Sequence, residues 1–216
     1  MMRKQIIELQ KRLIKTGYLG QTFAYGNAKL PSSTLIVNLS SANHCPAKAR
    51  GLCKVAHCYA LKCERIYPNY KKKNLTIEQW LRNARTVDIV ALMLAYIDNA
   101  STPITHIRLD EAGDFYNQDQ VRQWNKIARI MWESRGIKTY TYTARNDLDF
   151  TCAPYIMVNA SNPGTSGAVR EFLCTPRQVF DNLTPKRGEY KCPGDCKKCK
   201  VCYSPNNITR VYCREH

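Results

Sequence analysis

His106-Ile-Arg-Leu-Asp-Glu-Ala-Gly-Asp-Phe115, continued by residues 118–133, decides the fold class. His106-Ile-Arg-Leu-Asp110 reads as a strand and Glu111 to Phe115 as a turn. Residues 118–133 read as a helix with Val121, Trp124, Ala128 and Met131 on its inward stripe. The same alternation spreads to both sides. Upstream, Thr34-Leu-Ile-Val-Asn-Leu39 is short and apolar, as a buried parallel strand would be. Between the two, Thr76 and Gln79 predict a capping box before one long buried helix, from Ile77 through Trp80, Leu81, Ala84 and Val87 to Ile97. Downstream, Lys138-Thr-Tyr-Thr-Tyr-Thr-Ala144, Tyr155-Ile-Met-Val-Asn-Ala160 and Glu171-Phe-Leu-Cys-Thr175 read as further strands. Strands alternating with helices predict an α/β fold, either a partial (βα) barrel or an open parallel sheet. A complete eightfold barrel takes about 250 residues; this chain has 216.

The ends differ from this pattern. Residues 3–16 read as an amphipathic helix, with Ile6, Ile7, Leu9, Leu13 and Ile14 set against Lys4, Glu8, Lys11 and Arg12. Lys71-Lys72-Lys73 reads as a loop. From about Pro176 the sequence is polar and rich in Cys, Lys, Pro and Gly. The expected division is therefore an α/β domain over residues 1–175 and a Cys-rich metal-binding appendage over 176–216. The apolar run 89–97 falls far short of the roughly 20 residues a bilayer span needs. The first residues lack the continuous apolar core of a signal peptide. The expectation is a cytoplasmic protein that does not engage a membrane.

Two features of the composition are unusual: a formal charge of +16, and 11 cysteines. An odd thiol count in a reducing compartment does not suit a disulfide framework. Instead the cysteines bunch. Cys192-Pro-Gly-Asp-Cys196-Lys-Lys-Cys199-Lys-Val-Cys202 has the spacing C-x3-C-x2-C-x2-C, close to ferredoxin-type loops that wrap a cubane. Tetrahedral zinc is the competitor, although zinc ribbons usually separate two C-x2-C knuckles by a longer loop. Cys45, Cys53, Cys58 and Cys63 are more loosely spaced. Three of them would hold a cluster and leave one iron open for a substrate, with Cys63 as the optional fourth ligand. His44 and His57 lie close in sequence, and the default for each is a hydrogen-bonded loop residue. Cys152, Cys174 and Cys213 read as small buried hydrophobes.

Basic residues crowd both cysteine segments: eight over residues 46–73 and eight from Lys186 to the end. Two thiolate-bound cubanes would remove only about four charges, so a cationic surface suited to nucleic acid would remain. In parallel α/β sheets, ligands meet the loops that follow the strands. Here those loops hold the first cysteine group, Asp110, Glu111 and Asp114, then Arg145, then Asn159 to Ser161. All would share one rim. Asp110, Glu111, Asp114 and Asn159 are accordingly the candidate cofactor-binding residues. Their structural alternatives are a helix cap for Asp114 and an Arg108 pair for Asp110, with packing for Tyr140 and Tyr142.

The segment Arg108-Leu-Asp-Glu-Ala-Gly-Asp-Phe115, with Trp124 and Tyr140-Thr-Tyr-Thr143, resembles the bacteriophage gene-product-88 family. Cys45-Pro46-Ala47-Lys48 and Cys58-Tyr59-Ala60 match that family's amino-terminal Cys-Pro loop. Asp110, Ala112 and Ala144 stand where the family has His, Ser and Lys. The resemblance implies a phage-encoded protein of the host cytoplasm. A more distant architecture is similar: radical S-adenosylmethionine enzymes set a three-cysteine loop after the first strand and an acidic turn after the second. Cys58-Tyr59 and Glu111-Ala-Gly-Asp114 stand at the equivalent points, although C-x7-C-x4-C departs from the usual C-x3-C-x2-C.

The sequence thus predicts an iron–sulfur protein with one or two [4Fe-4S] clusters. It would bind S-adenosylmethionine and act on nucleic acid or a nucleotide if it is an enzyme, and draw on a redox donor. Two alternatives stand beside it: a zinc-stabilised nucleic-acid-binding module without catalysis, and an electron carrier.

Overall fold

The computed structural model describes Glu8 and residues 22–53 and 58–215; the expected helix over 3–16, apart from Glu8, lies outside these residues, as does His57. Eight strands form one sheet: β1 (Ala24–Tyr25), β2 (Thr34–Val37), β3 (His106–Leu109), β4 (Lys138–Thr143), β5 (Ile156–Ala160), β6 (Arg170–Thr175), β7 (Glu189–Lys191) and β8 (Arg210–Arg214). Their spatial order is β1-β2-β3-β4-β5-β6-β8-β7. β1 runs antiparallel to β2, and every other neighbouring pair is parallel. The sheet does not close, so the α/β expectation holds in its open form.

Alternation divides the sheet into two chemically different faces. Leu35, Val37, Ile107, Leu109, Ile156 and Val158 point to the apolar core. There they meet α4 (Thr86–Asp98) and α5 (Gln118–Arg135), which contribute Ile89, Leu92, Tyr96, Val121, Trp124 and Met131. Asn117 caps α5 by accepting from the Gln120 N–H, and Gly136 ends it in the left-handed region at φ 66°. The opposite face carries Arg108, Tyr140, Tyr142, Asn159, Arg170 and Phe172. Its rings and cations stack: Arg108 over Tyr142 at 4.8 Å and Tyr142 against Phe172 at 4.7 Å.

Three expectations need correction. Residues 76–97 do not form one helix. α3 (Pro68–Leu81) begins with proline at its first turn and is followed, after a break, by α4. Thr76 lies inside α3, where its hydroxyl donates to Lys72 O, and the cap before α4 is made instead by the Asp88 carboxylate, which accepts from the Arg85 N–H and guanidinium. Lys71, Lys72 and Lys73 lie within α3 and not in a loop. The reason is that the buried side of α3 carries polar residues, Asn74 and Glu78, so apolar periodicity misses its first half. The segment from residue 176, expected as an appendage to the α/β domain, adds β7 and β8 to the same sheet and buries Phe180, Tyr203 and Val211.

Two buried carboxylates hold the first cysteine loop on this frame. Glu64, on α2 (Tyr59–Ile66), accepts from Ser41 Oγ (2.7 Å), Ala42 N (2.9 Å), Asn74 Nδ2 (2.9 Å) and Asn43 Nδ2 (3.2 Å). Glu78 accepts from Ser41 N, Arg82 Nη2 and Tyr116 Oη, and pairs with His44 Nδ1 at 3.0 Å. Burial works against the Glu78 charge, but these hydrogen bonds outweigh it and hold the carboxyl below its usual range. Glu64→Ala strands four donors, most of them buried, and is expected to cost about 3–5 kcal/mol in urea unfolding, with Glu64→Gln less damaging.

Candidate metal centre at the carboxyl rim

The acidic turn after β3 is built with little tolerance. Asp110 adopts a left-handed conformation at φ 60°, and Gly113 lies at φ 88°. A Cβ on Gly113 would come within 2.5 Å of Ser40 N, so the turn packs directly on the loop after β2. Asn38 ties the same two loops, accepting from Ala112 N at 2.9 Å and donating to Asn74 Oδ1 at 2.8 Å.

Within the turn the acids have different surroundings. Asp114 is fully engaged: Oδ1 accepts from Thr143 Oγ1 (2.6 Å) and Phe115 N (2.9 Å), and Oδ2 from Ala144 N (2.9 Å). It joins the end of β3 to the end of β4 and does not cap α5. Burial pushes its carboxyl up to about 6, against the pull of those hydrogen bonds. Asp110 receives Thr141 Oγ1 on Oδ2 at 3.1 Å, while its buried Oδ1 has no partner. Burial, and then repulsion from Asp114, raise the Asp110 carboxyl well above its usual range. Glu111 is half-buried at the rim and accepts from Asn27 Nδ2. Asn159 donates to Thr141 O (2.9 Å) and Cys202 O (3.1 Å), leaving its Oδ1 unpartnered. Arg145 is buried, paired with Asp147 at 2.6 Å and donating to Phe115 O.

The first cysteine group divides. Cys45 sits just before α1 (Pro46–Ala49), and its thiol is pushed up to about 12, chiefly by burial, with Asp114 and Asp110 adding to the shift. Cys53 is raised by burial and by the neighbouring Cys58, Asp114 and Cys174. Thus Cys45 and Cys53 lie in the field of the acidic turn, and Cys58 packs in the small cluster that holds Ala112 of that turn. Cys63, one turn into α2, is hydrogen-bonded to Tyr59 instead and neighbours Tyr70. His44 is engaged with Glu78, as its default reading expects.

The second group follows β7 and folds over the polar face of the sheet. Tyr203 packs against Tyr140 (5.3 Å) and His106 (4.8 Å) and donates to Cys196 O at 2.7 Å. Arg170 donates to Val201 O and to Ser204 O (3.4 Å). The Cys202 thiol, raised to about 11 mainly by burial, is hydrogen-bonded to Tyr142. Cys199 Sγ donates to Tyr190 Oη at 3.6 Å. The Cys192 and Cys196 thiols are raised, chiefly by burial, with Cys199 in the field of both, and Cys192 and Cys196 lie in that of Cys202. Arg108 reaches the same space, and Glu111 and Cys196 lie in its field. Its buried Nε has no partner. Among the described residues no three His, Cys, Asp or Glu side chains are drawn tightly enough together to enclose a metal ion.

Sequence reasoning missed the polar face itself. Arg108, Tyr142 and Arg170 meet the cysteine loop there, and the alternation in β3, β4 and β6 is the signal that could have found them. Cys45, Cys53 and the acidic turn therefore lie at the carboxyl end of the sheet, and the second thiol group lies across its polar face. Fold and site define an open parallel α/β protein with a thiol-rich polar rim. The chain belongs to the Gene product 88 family, whose profile matches residues 4–163. That match covers the first cysteine group and the acidic turn, and ends before β6 and the second cysteine group. Neither a curated protein nor a solved structure matches the chain. Among the described residues no helix is long and apolar enough to cross a membrane.

The acid pair has a measurable consequence. Carboxyls raised in the folded chain bind protons that the unfolded chain has already released. The contribution of this pair to stability is therefore fullest below about pH 4 and is lost as pH rises through about 6. Asp110→Asn keeps the acceptor facing Thr141 and suits the left-handed backbone. It is expected to raise the thermal midpoint more at about pH 7.5 than at about pH 4; an equal change at both values contradicts this account.

Proposed function

We propose that this protein is an iron–sulfur protein whose first site binds a small cofactor or substrate at the rim. One observation carries the reading: two separate groups of thiols lie on one sheet, the first beside the acidic turn at the carboxyl ends of the strands and the second across the polar face. Cys45, Cys53 and Cys58 would hold the first cluster, with Cys63 turned toward Tyr59 and Cys192, Cys196, Cys199 and Cys202 holding the second. The donor chemistry fits, because all-thiolate sets suit [4Fe-4S] clusters. The nearby cations Arg108 and Arg170 offset the negative charge such a set carries. When bound, a cluster with an open iron supplies one-electron reduction to a ligand such as S-adenosylmethionine.

The chain's own residues divide the remaining work. Asp110 and Asn159 retain buried acceptor oxygens without protein partners, which suits them to a ligand amine or hydroxyl. Glu111 offers a carboxylate at the rim. Asp114, its oxygens occupied by Thr143, Ala144 and Phe115, is a positioning residue that fixes the turn. The formal charge of +16 supports a nucleic-acid or nucleotide substrate. It also favours the second reading, a zinc-stabilised nucleic-acid-binding module, because the loop over 192–202 has the thiols for one tetrahedral zinc.

Anaerobic purification with iron, zinc and acid-labile sulfide quantification separates the two. The expected result is a brown protein with about eight iron and matching sulfide per chain. Cys53→Ser and Cys196→Ser should each remove about half of the iron. Near-stoichiometric zinc without sulfide overturns the iron–sulfur reading and leaves salt-dependent nucleic-acid binding as the activity to measure.

A further inference from the structure

Two thiols belong to neither cysteine loop yet stand between them. β6 and β8 pair in parallel with Cys174 opposite Cys213. Neighbouring strands lie about 4.8 Å apart, within the Cα separation a disulfide spans, about 4.4–6.8 Å. Residues directly opposite on adjacent strands project to the same face, and the Cys213 thiol is hydrogen-bonded to Cys174. Cys174 is exposed and Cys213 half-buried, so one sulfur is open to a reagent and the other is held behind it. Cys53 lies within electrostatic reach of Cys174, as Cys192 and Cys202 do of Cys213.

We propose that Cys174 and Cys213 form a reversible dithiol–disulfide pair that exchanges with small disulfides of the glutathione type. Cys174 loses its proton to solvent and attacks one sulfur of the external disulfide. That bond breaks, and one small thiolate leaves. Cys213, whose thiol burial raises above its usual range, passes its proton to the first released small thiolate as it attacks the Cys174 sulfur of the mixed disulfide, and expels the second small thiolate. The two thiolates take up the two protons released. Two electrons have passed from the protein pair to the external disulfide, and one protein disulfide has replaced it. The strongly cationic chain attracts anionic glutathione species. An exposed disulfide belongs to the readily reduced class, so the pair remains reduced in a reducing cytosol and closes under oxidation. Closure links β6 covalently to β8, the strand that follows the second cysteine loop.

The test uses the full chain, incubated anaerobically with graded ratios of oxidised to reduced glutathione. Acid quenching, intact mass and non-reducing peptide mapping follow. The expected result is a peptide joining residues 174 and 213, formed at high ratios and lost when reduced glutathione is restored. In Cys213→Ser, Cys174 should stop at the glutathione adduct. The proposal is overturned if wild-type Cys174 and Cys213 carry only separate adducts, or if either joins a different cysteine. It is equally overturned if both stay reduced at every ratio. Reaction appearing only after a chelator strips metal would instead make them metal ligands. Since the readout is the cross-link and not metal content, this proposal and the iron–sulfur reading fail independently.

Discussion

A loop cannot be buried unless its backbone N–H groups find acceptors, and the rim of this sheet depends on that constraint. The chain turns sharply after β2 and again after β3, and both turns lie against each other with almost no side-chain volume between them. Glu64, Glu78 and Asp114 supply the acceptors. Each carboxylate receives at least three donors, two or more of them from segments distant in sequence. In a protein with 17 acids against 33 basic residues, three of those acids are spent on the geometry of one end of the sheet. With Gly113 packed on Ser40, they set where Cys45 and the acidic turn stand relative to each other.

Chemistry at that rim follows from burial. The thiols of Cys45, Cys53 and Cys202 and the carboxyls of Asp110 and Asp114 are all moved toward their neutral forms, because their charged forms are poorly solvated there. A soft cation reverses that balance for thiols, since it binds the thiolate directly. Burial therefore favours the neutral forms of these five groups in the bare protein. Arg108 and Arg170, on the same face, extend the positive field without carboxylate partners of their own among the described residues. The C-terminal segment is what closes this face, with Tyr203 stacked on Tyr140 and His106.

The five strands β2 to β6, their parallel arrangement and the long helix α5 were legible because each element obeys one period and ends on a recognisable signal. So were the candidate residues, since loops after parallel strands share an edge whatever the details. α3 was misread because its buried side is polar: Asn74 and Glu78 face the cysteine loop, and no hydrophobic stripe marks them. The C-terminal segment was misjudged for a related reason. Its two short strands bury few apolar side chains, and their place in the sheet comes from hydrogen bonding of β8 along β6 and of β7 along β8.

By itself the sequence determined the α/β class, the two groups of thiols, the acidic turn and the excess positive charge. These are properties of local period, spacing and composition, which survive without knowledge of distant contacts. Only the tertiary structure decided that Cys63 turns toward Tyr59, that Asp114 is occupied while Asp110 keeps a spare oxygen, and that Cys174 stands opposite Cys213. Each depends on strand register or on donors far away in the chain, and register is fixed by packing the whole sheet at once.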